Sequence, residues 1–177
     1  NEYSKGYWQN KVRLEALELC LKSKGRLLEV GCGEGLYLAQ LSKLNPELQL
    51  WGIDLEQEML YRAKEIFQER GVSRIHLSIQ DALNLSLKSK MFDTVVCINV
   101  FVNFDSPESL RQALLQMFEV CKPQGRIIFD FRNSLNLLLR LKYKFACFYD
   151  RTLEGKKLST FYPAEIKAML EEVGLKI

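Results

Sequence analysis

Three glycines and two carboxylates carry the first chemistry legible in this chain. Residues 27 to 35 read Leu-Leu-Glu-Val-Gly-Cys-Gly-Glu-Gly, and Trp51-Gly-Ile-Asp54 closes a second short apolar run further on. An apolar strand that delivers a glycine-rich turn, a following helix, and a second strand ending in a carboxylate form the arrangement that holds a ribose. The composition of the turn narrows the ligand. A dinucleotide loop spaced G-x-G-x-x-G requires glycine at position 36, where Leu36 stands. Glu34 in the turn would repel a pyrophosphate, an anion that helix N-termini otherwise attract. A carboxylate there, with Glu29 just before it, suits a ligand that carries positive charge.

Glu29-Val-Gly31-Cys-Gly33-Glu-Gly35 resembles the first motif of the class I S-adenosylmethionine (SAM)-dependent methyltransferases, and further matches follow in order. Gly52-Ile-Asp54-Leu55, with Met59 shortly after, resembles the ribose-binding motif, and Gln80-Asp81-Ala82 the adenine-binding motif. Phe92 to Asn99 resembles the fourth strand, and Val120-Cys-Lys-Pro-Gln-Gly-Arg the "LKPGG" turn into the fifth, with Gln124 in place of one glycine. SAM is adenosine bearing a sulfonium and an ammonium, with no phosphate, which agrees with the charge of the loop. The resemblance implies a Rossmann-like α/β fold and a cofactor set. Gly31, Cys32, Gly33 and Gly35 would let the backbone approach the methionyl part, and Glu29 would meet its ammonium. Asp54 would accept from both ribose hydroxyls. Asp81 would accept from the adenine amine while the Ala82 N–H donates to the ring. Leu55 and Met59 would flank the adenine faces, and Asn99 would close the site at the end of the fourth strand.

These residues need elements to position them. Val12, Leu17, Cys20 and Leu21 recur at helical spacing before Gly25; Leu38, Leu41 and Leu44 form a stripe ended by Asn45-Pro46; Met59, Ala63, Ile66 and Phe67 form another ended by Gly71. Ser106-Pro107 and Tyr162-Pro163 each read as a helix start, and Gly174 as a stop. Between them, 26–30, 48–53, 74–79, 93–99 and 126–131 are apolar on nearly both faces, as strands covered by helices are. The alternation predicts a mainly parallel sheet with helices on both faces. Residues 81–91 read as a loop, and 134–161 as a substrate-side insertion that ends in a hairpin near 147–161. The expected plan is a single domain over 1–177: a helical cap to 25, a SAM-binding core over 26–133, the insertion, and a last helix over 162–177. The family pattern also calls for a sixth and a seventh strand. Either the chain extends past Ile177, or strand five is covered by the hairpin or by a second molecule.

Composition bounds the partners. The chain has 177 residues, 47% of them hydrophobic, enough for one real core. A net charge of +3 argues against nucleic acid, and no apolar stretch approaches the length of a membrane span. Five scattered cysteines, never spaced C-x-x-C, read as buried free thiols in a reducing, cytoplasmic setting, and no metal site is expected.

The acceptor side carries no evident catalytic base. His76, the one histidine, sits within a strand, where a structural role is expected. After strand four, Asn99-Val-Phe101-Val-Asn103-Phe104 lacks the [DN]-P-P-[YF] motif of amino-group methyltransferases, and no Pro-Cys nucleophile exists. What remains resembles small-molecule and lipid-intermediate methyltransferases, with Asn103 where those carry a histidine. Tyr7 and Trp8, expected to precede the first helix, together with Phe101, Asn103, Phe104 and Tyr149, are the candidate acceptor contacts. The oligomeric state is open. Three rivals stay in view: a non-catalytic SAM-binding subunit, a nucleic-acid methyltransferase, and a nicotinamide oxidoreductase. The last makes a prediction. Glu34→Ala should not create NADH binding, because Leu36 still denies the close approach of a third glycine; tight NADH binding by either form in calorimetry would overturn the cofactor reading.

Overall fold

Leu27 and Leu28 are neighbours in sequence, both fully buried, and belong to two different cores. That is the signature of a strand covered on both faces. The computed structural model describes residues 7–138 and 159–175, the side chains of 7–9 excepted. The strands are β1 (Arg26–Val30), β2 (Gln49–Asp54), β3 (Ile75–Ile79), β4 (Phe92–Cys97) and β5 (Cys121–Phe129). All are parallel, in the order β3-β2-β1-β4-β5. The helices are α1 (Tyr7–Cys20), α2 (Leu36–Leu44), α3 (Gln57–Glu69), α4 (Pro107–Val120) and α5 (Pro163–Glu172), with a short 3-10 turn at Phe101–Asn103. This is the expected α/β Rossmann-like methyltransferase fold.

Helices α1, α2 and α3 cover one face through Leu17, Leu38, Leu41 and Phe67, which pack with Leu27, Leu50 and Val96. Helices α4 and α5 cover the other through Leu114, Met117 and Ile166, against Leu28, Ile53 and Val95. The α4 start is set as its sequence predicts: Ser106 Oγ accepts from the Ser109 N–H at 3.1 Å, and Pro107 fills the first turn. Residues 81–91 form no helix, and turn instead around the Asp81–Asn84 bridge. His76 stacks on Trp51 with ring centroids 4.7 Å apart, a packing role.

Several boundaries differ from the sequence reading, three of them by more than a residue at one end. Tyr7 and Trp8 do not precede the first helix but lie within it, since α1 includes Tyr7. β4 stops at Cys97 because Asn99 takes φ +60°, which no strand accommodates. β5 begins at Cys121, five residues early. Phe92 pairs with Cys121 and Thr94 with Arg126, so the Pro123-Gln124-Gly125 turn is a bulge inside the strand. Gln124 holds φ +65°, the conformation a glycine would adopt there more easily.

Among the described residues β5 pairs with β4 alone. Just past its end Asn133 bridges Phe161 in parallel; Ser134 N donates to Phe161 O and Phe161 N to Arg132 O, both at 2.9 Å. The rest of the expected hairpin and most of the insertion lie outside the described residues, as do Ile177 and any sixth strand there. The four described cysteines, Cys20, Cys32, Cys97 and Cys121, are buried free thiols. No described helix is long and apolar enough to cross a membrane.

Leu114 is fully buried between α4 and the sheet. Leu114→Ala is expected to cost about 2–5 kcal/mol in chemical denaturation, through lost burial and the cavity left behind. A loss below about 1 kcal/mol would contradict this packing.

Candidate functional site

The strand order reverses between β1 and β4, so the connections that leave their carboxyl ends part in opposite directions and open a crevice. The glycine turn fills one side of it. Gly31 N and Cys32 N donate to Ile53 O at 2.8 and 2.9 Å, and Gly33 N donates to Asp54 Oδ2 at 2.7 Å. The turn after β1 is thus tied to the end of β2. Gly31 has φ +73°, and a Cβ there would fall 2.3 Å from Val100 Cγ2, so the turn after β4 presses directly on it. Gly33 is different. It has φ +51°, and a Cβ would meet nothing within 4 Å. The space beside it is open.

Asp54 holds two backbone donors, Gly33 N on Oδ2 and Glu56 N at 3.0 Å on Oδ1. Each oxygen keeps one lone pair for a further donor. Glu29, one residue before the end of β1, is only 3% exposed, and its Oε2 has no hydrogen-bond partner among the described residues. Burial pushes its carboxyl well above the ordinary value; nearby Arg13 of α1 opposes the shift and Asp54 adds to it. A cleft lined by Arg13, Glu29, Gly31, Cys32, Gly33 and Asn99, with Leu36, Tyr37 and Ile98 behind them, brings these groups together. The Cys32 thiol is raised beyond its usual range by burial and by Glu29 and Asp54, which favours the protonated form.

The remaining expected residues fall in several places. Glu34 borders the cleft, but its carboxylate is shared with Arg62 of α3 at 3.3 Å. Leu55 is 63% exposed and Met59 half-buried. Asp81 is exposed and accepts from its own turn, Leu83 N at 2.8 Å, while Ala82 packs at the edge of the α4-side core. Neither pair lines the cleft. Phe101 is buried at 1% exposure between Phe104 and Phe129, each with ring centroids 5.4 Å away, so it packs the core and faces no opening. Asn103 is exposed and Phe104 half-buried beside it. Tyr7 and Trp8 belong to α1, and Tyr149 lies outside the described residues.

Sequence reasoning missed three groups. Arg13 looks like an ordinary charge in an amphipathic helix, and only the packing of α1 onto α2 carries it over the end of β1. Asp130 and Arg132, just after β5, sit in no motif. Arg132 Nη1 pairs with Asp130 Oδ2 at 2.5 Å, Arg132 Nη2 donates to Asn99 Oδ1 at 2.8 Å, and Asn99 N donates to Asp130 Oδ1 at 2.5 Å.

A model of the methyltransferase domain family matches residues 27–125, more than half of the chain. The chain belongs to the class I SAM-dependent methyltransferases. It is 35% identical over 105 residues to a phosphatidylethanolamine N-methyltransferase of Cereibacter sphaeroides, covering 59% of this chain and 49% of that protein. It is 29% identical over 175 residues to a ubiquinone biosynthesis O-methyltransferase of Xanthomonas euvesicatoria, covering 95% of this chain and 70% of the relative. The chain thus spans about half the length of the first of these relatives. Among solved structures, magnesium protoporphyrin IX methyltransferase from Synechocystis, with bound S-adenosylhomocysteine, superposes with a TM-score of 0.76 at 20% identity, over 97% of this chain and 80% of that one. That likeness shows the fold.

The residues present fit the family's cofactor. A buried carboxylate oxygen has no donor among the described residues, the space at Gly33 is open, and Asp54 has acceptor capacity to spare.

Because Glu29 holds its proton more tightly folded than unfolded, the folded state retains a proton that the unfolded chain loses above about pH 4.5. Stability from this group is therefore full at low pH and declines as pH rises through the folded value. Glu29→Gln should abolish that decline and leave the ligand-free protein more stable than wild type near neutral pH, checked by thermal unfolding across pH 4–8. Parallel pH profiles for the two proteins would refute the assignment.

Proposed function

We propose that this protein transfers a methyl group from SAM to a small-molecule or lipid-like acceptor by direct in-line displacement. The observation that carries the reading is the buried Glu29 with its unpartnered Oε2, at the foot of a cleft that the Gly33 backbone leaves open. SAM, when bound, supplies a methyl carbon already activated by its sulfonium. The work left to the chain is to bind, aim and keep out water. Glu29 would take an ammonium, which restores its negative charge in a site otherwise hostile to it. Asp54 would use its remaining lone pairs on the ribose hydroxyls. Asp81 and the Ala82 N–H would meet the adenine edge, with Leu55 and Met59 on its faces.

The acceptor class rests on the relatives, whose names concern a phospholipid headgroup in one case and a quinone precursor in the other. Phe104, Asn103 and the segment from Tyr7 and Trp8 would stand on the acceptor side, with Tyr149 of the 134–161 insertion. A direct transfer needs no general base, which suits a chain whose one histidine is stacked on Trp51. The single-domain plan over 1–177 and a cytoplasmic setting belong to the same reading; the buried free thiols support the latter.

Calorimetry with SAM tests the site. Asp54→Ala is expected to weaken binding by about 1.5–3 kcal/mol, the range for hydrogen bonds that involve a charged group. Asp54→Asn should keep part of the affinity, since one acceptor oxygen remains. A change of only a few tenths of a kcal/mol in the alanine variant would remove Asp54 from the ribose site.

A further inference from the structure

Asn99 lies between two arrangements that the sequence never connected. Its residue number places it two positions past β4, where it borders the cleft beside Glu29 and Arg13. It is also one of four non-glycine residues with positive φ among those described, at +60°. Asparagine tolerates that region better than most residues, but something must still select it. The selection comes from the end of β5. Asp130 Oδ1 accepts the Asn99 backbone N–H at 2.5 Å, and Asp130 Oδ2 is bound by Arg132 at 2.5 Å. Arg132 Nη2 then reaches the Asn99 side-chain oxygen at 2.8 Å. The Arg132 and Asp130 side chains are only 12% and 16% exposed, so this ring of three contacts is largely shielded from water.

The chemistry of the ring fixes the amide's direction. A guanidinium has donors only, so the group it meets on Asn99 must be the oxygen. The amide is planar, and its NH2 is therefore turned away from Arg132. Among the described residues that nitrogen makes no hydrogen bond. A residue at this position with a free rotor could offer the cleft either an acceptor or a donor. Asn99 is held with its acceptor on Arg132 and its donor directed away from it.

We infer that Asp130 and Arg132 are positioning residues that lock Asn99 with its NH2 toward the cleft, where it binds the carboxylate of a ligand's amino-acid end. The inference rests on the SAM reading above and deepens it. Glu29 serves the ammonium of that amino-acid group; Asn99 and Arg13, on the same cleft wall, serve its carboxylate. The two ends of a zwitterion are thereby matched by opposite chemistries, and the donor at 99 is supplied through a network two strands away from the glycine turn. The lock also explains why the site tolerates a strained backbone at Asn99: the left-handed turn presses Val100 against Gly31 while it aims the amide.

Two ligands separate this role from general support of the fold. S-adenosylhomocysteine carries the amino-acid end, and 5′-methylthioadenosine lacks it. Asn99→Gly removes the amide while easing the left-handed backbone. Arg132→Lys keeps the charge, but an ammonium cannot reproduce the planar fork that spans Asp130 and Asn99. Both variants are expected to bind S-adenosylhomocysteine about ten- to hundredfold more weakly in calorimetry, with 5′-methylthioadenosine affinity unchanged. Equal losses for the two ligands would mean that the network merely supports the pocket, and unchanged S-adenosylhomocysteine affinity would mean that Asn99 does not meet the carboxylate; either result overturns the inference. If the unaltered chain itself failed to bind S-adenosylhomocysteine, the methyltransferase reading would fall, and this inference with it.

Discussion

The constraint on which the structure depends is the reversal of strand order between β1 and β4. A parallel strand must be followed by a crossover, and crossovers from adjacent strands that go opposite ways cannot fill the space above the strand ends. The gap is thus a product of topology, not of any one side chain. What lines it is whatever the chain carries immediately after β1 and β4, and at a slightly greater distance after β2 and β5. Glu29, the glycine turn, Asp54, Asn99 and Asp130 all stand at such ends. Their shared location follows from chain direction alone, because every strand in the sheet points its carboxyl end to the same side.

The gap must nevertheless be kept from closing, and backbone hydrogen bonds do that. Gly33 N–H on Asp54 draws the turn toward β2, while Gly31 is pressed from the other side by Val100. The turn is held between two neighbours, with its open side at Gly33. The same logic operates across the crevice, where Asp130 and Arg132 hold Asn99. Both walls are fixed by a carboxylate from the adjacent strand that accepts a backbone N–H. A carboxylate acceptor makes a stronger bond than a neutral one, which suits a position where backbone in the left-handed region must be held.

Electrostatics gives the cleft its direction. Burying Glu29 with no partner for Oε2 among the described residues is costly, and the raised proton affinity is the folded protein's response. Once ionised, such a group no longer contributes to stability, and a cationic donor can complete the interaction it lacks. The acidic turn residue Glu34 has a different fate, since Arg62 takes up its charge at the surface. Of the two carboxylates that suggested a positive ligand, only the deeper one keeps an oxygen without a partner among the described residues.

Much of this was written in local sequence. The β1 run with its glycine turn, the carboxylate closing β2, Ser106-Pro107 at the head of α4 and the loop over 81–91 are set by nearest-neighbour chemistry: periodicity, caps and residues suited to left-handed backbone. Family resemblance then supplied the ligand. Tertiary structure decided the rest. Phe101 reads as a ring for an acceptor, yet the 3-10 turn drives it into the core against Phe129. The 123–125 turn reads as the entry to a strand, yet β4 pairs with residues on both sides of it, so it became a bulge. Arg13, which borders the cleft, and the Asp130–Arg132 pair, which holds Asn99 there, were invisible because they come from elements distant in sequence from the motifs. A motif records residues whose neighbours along the chain explain them; these three are explained only by what the fold places beside them.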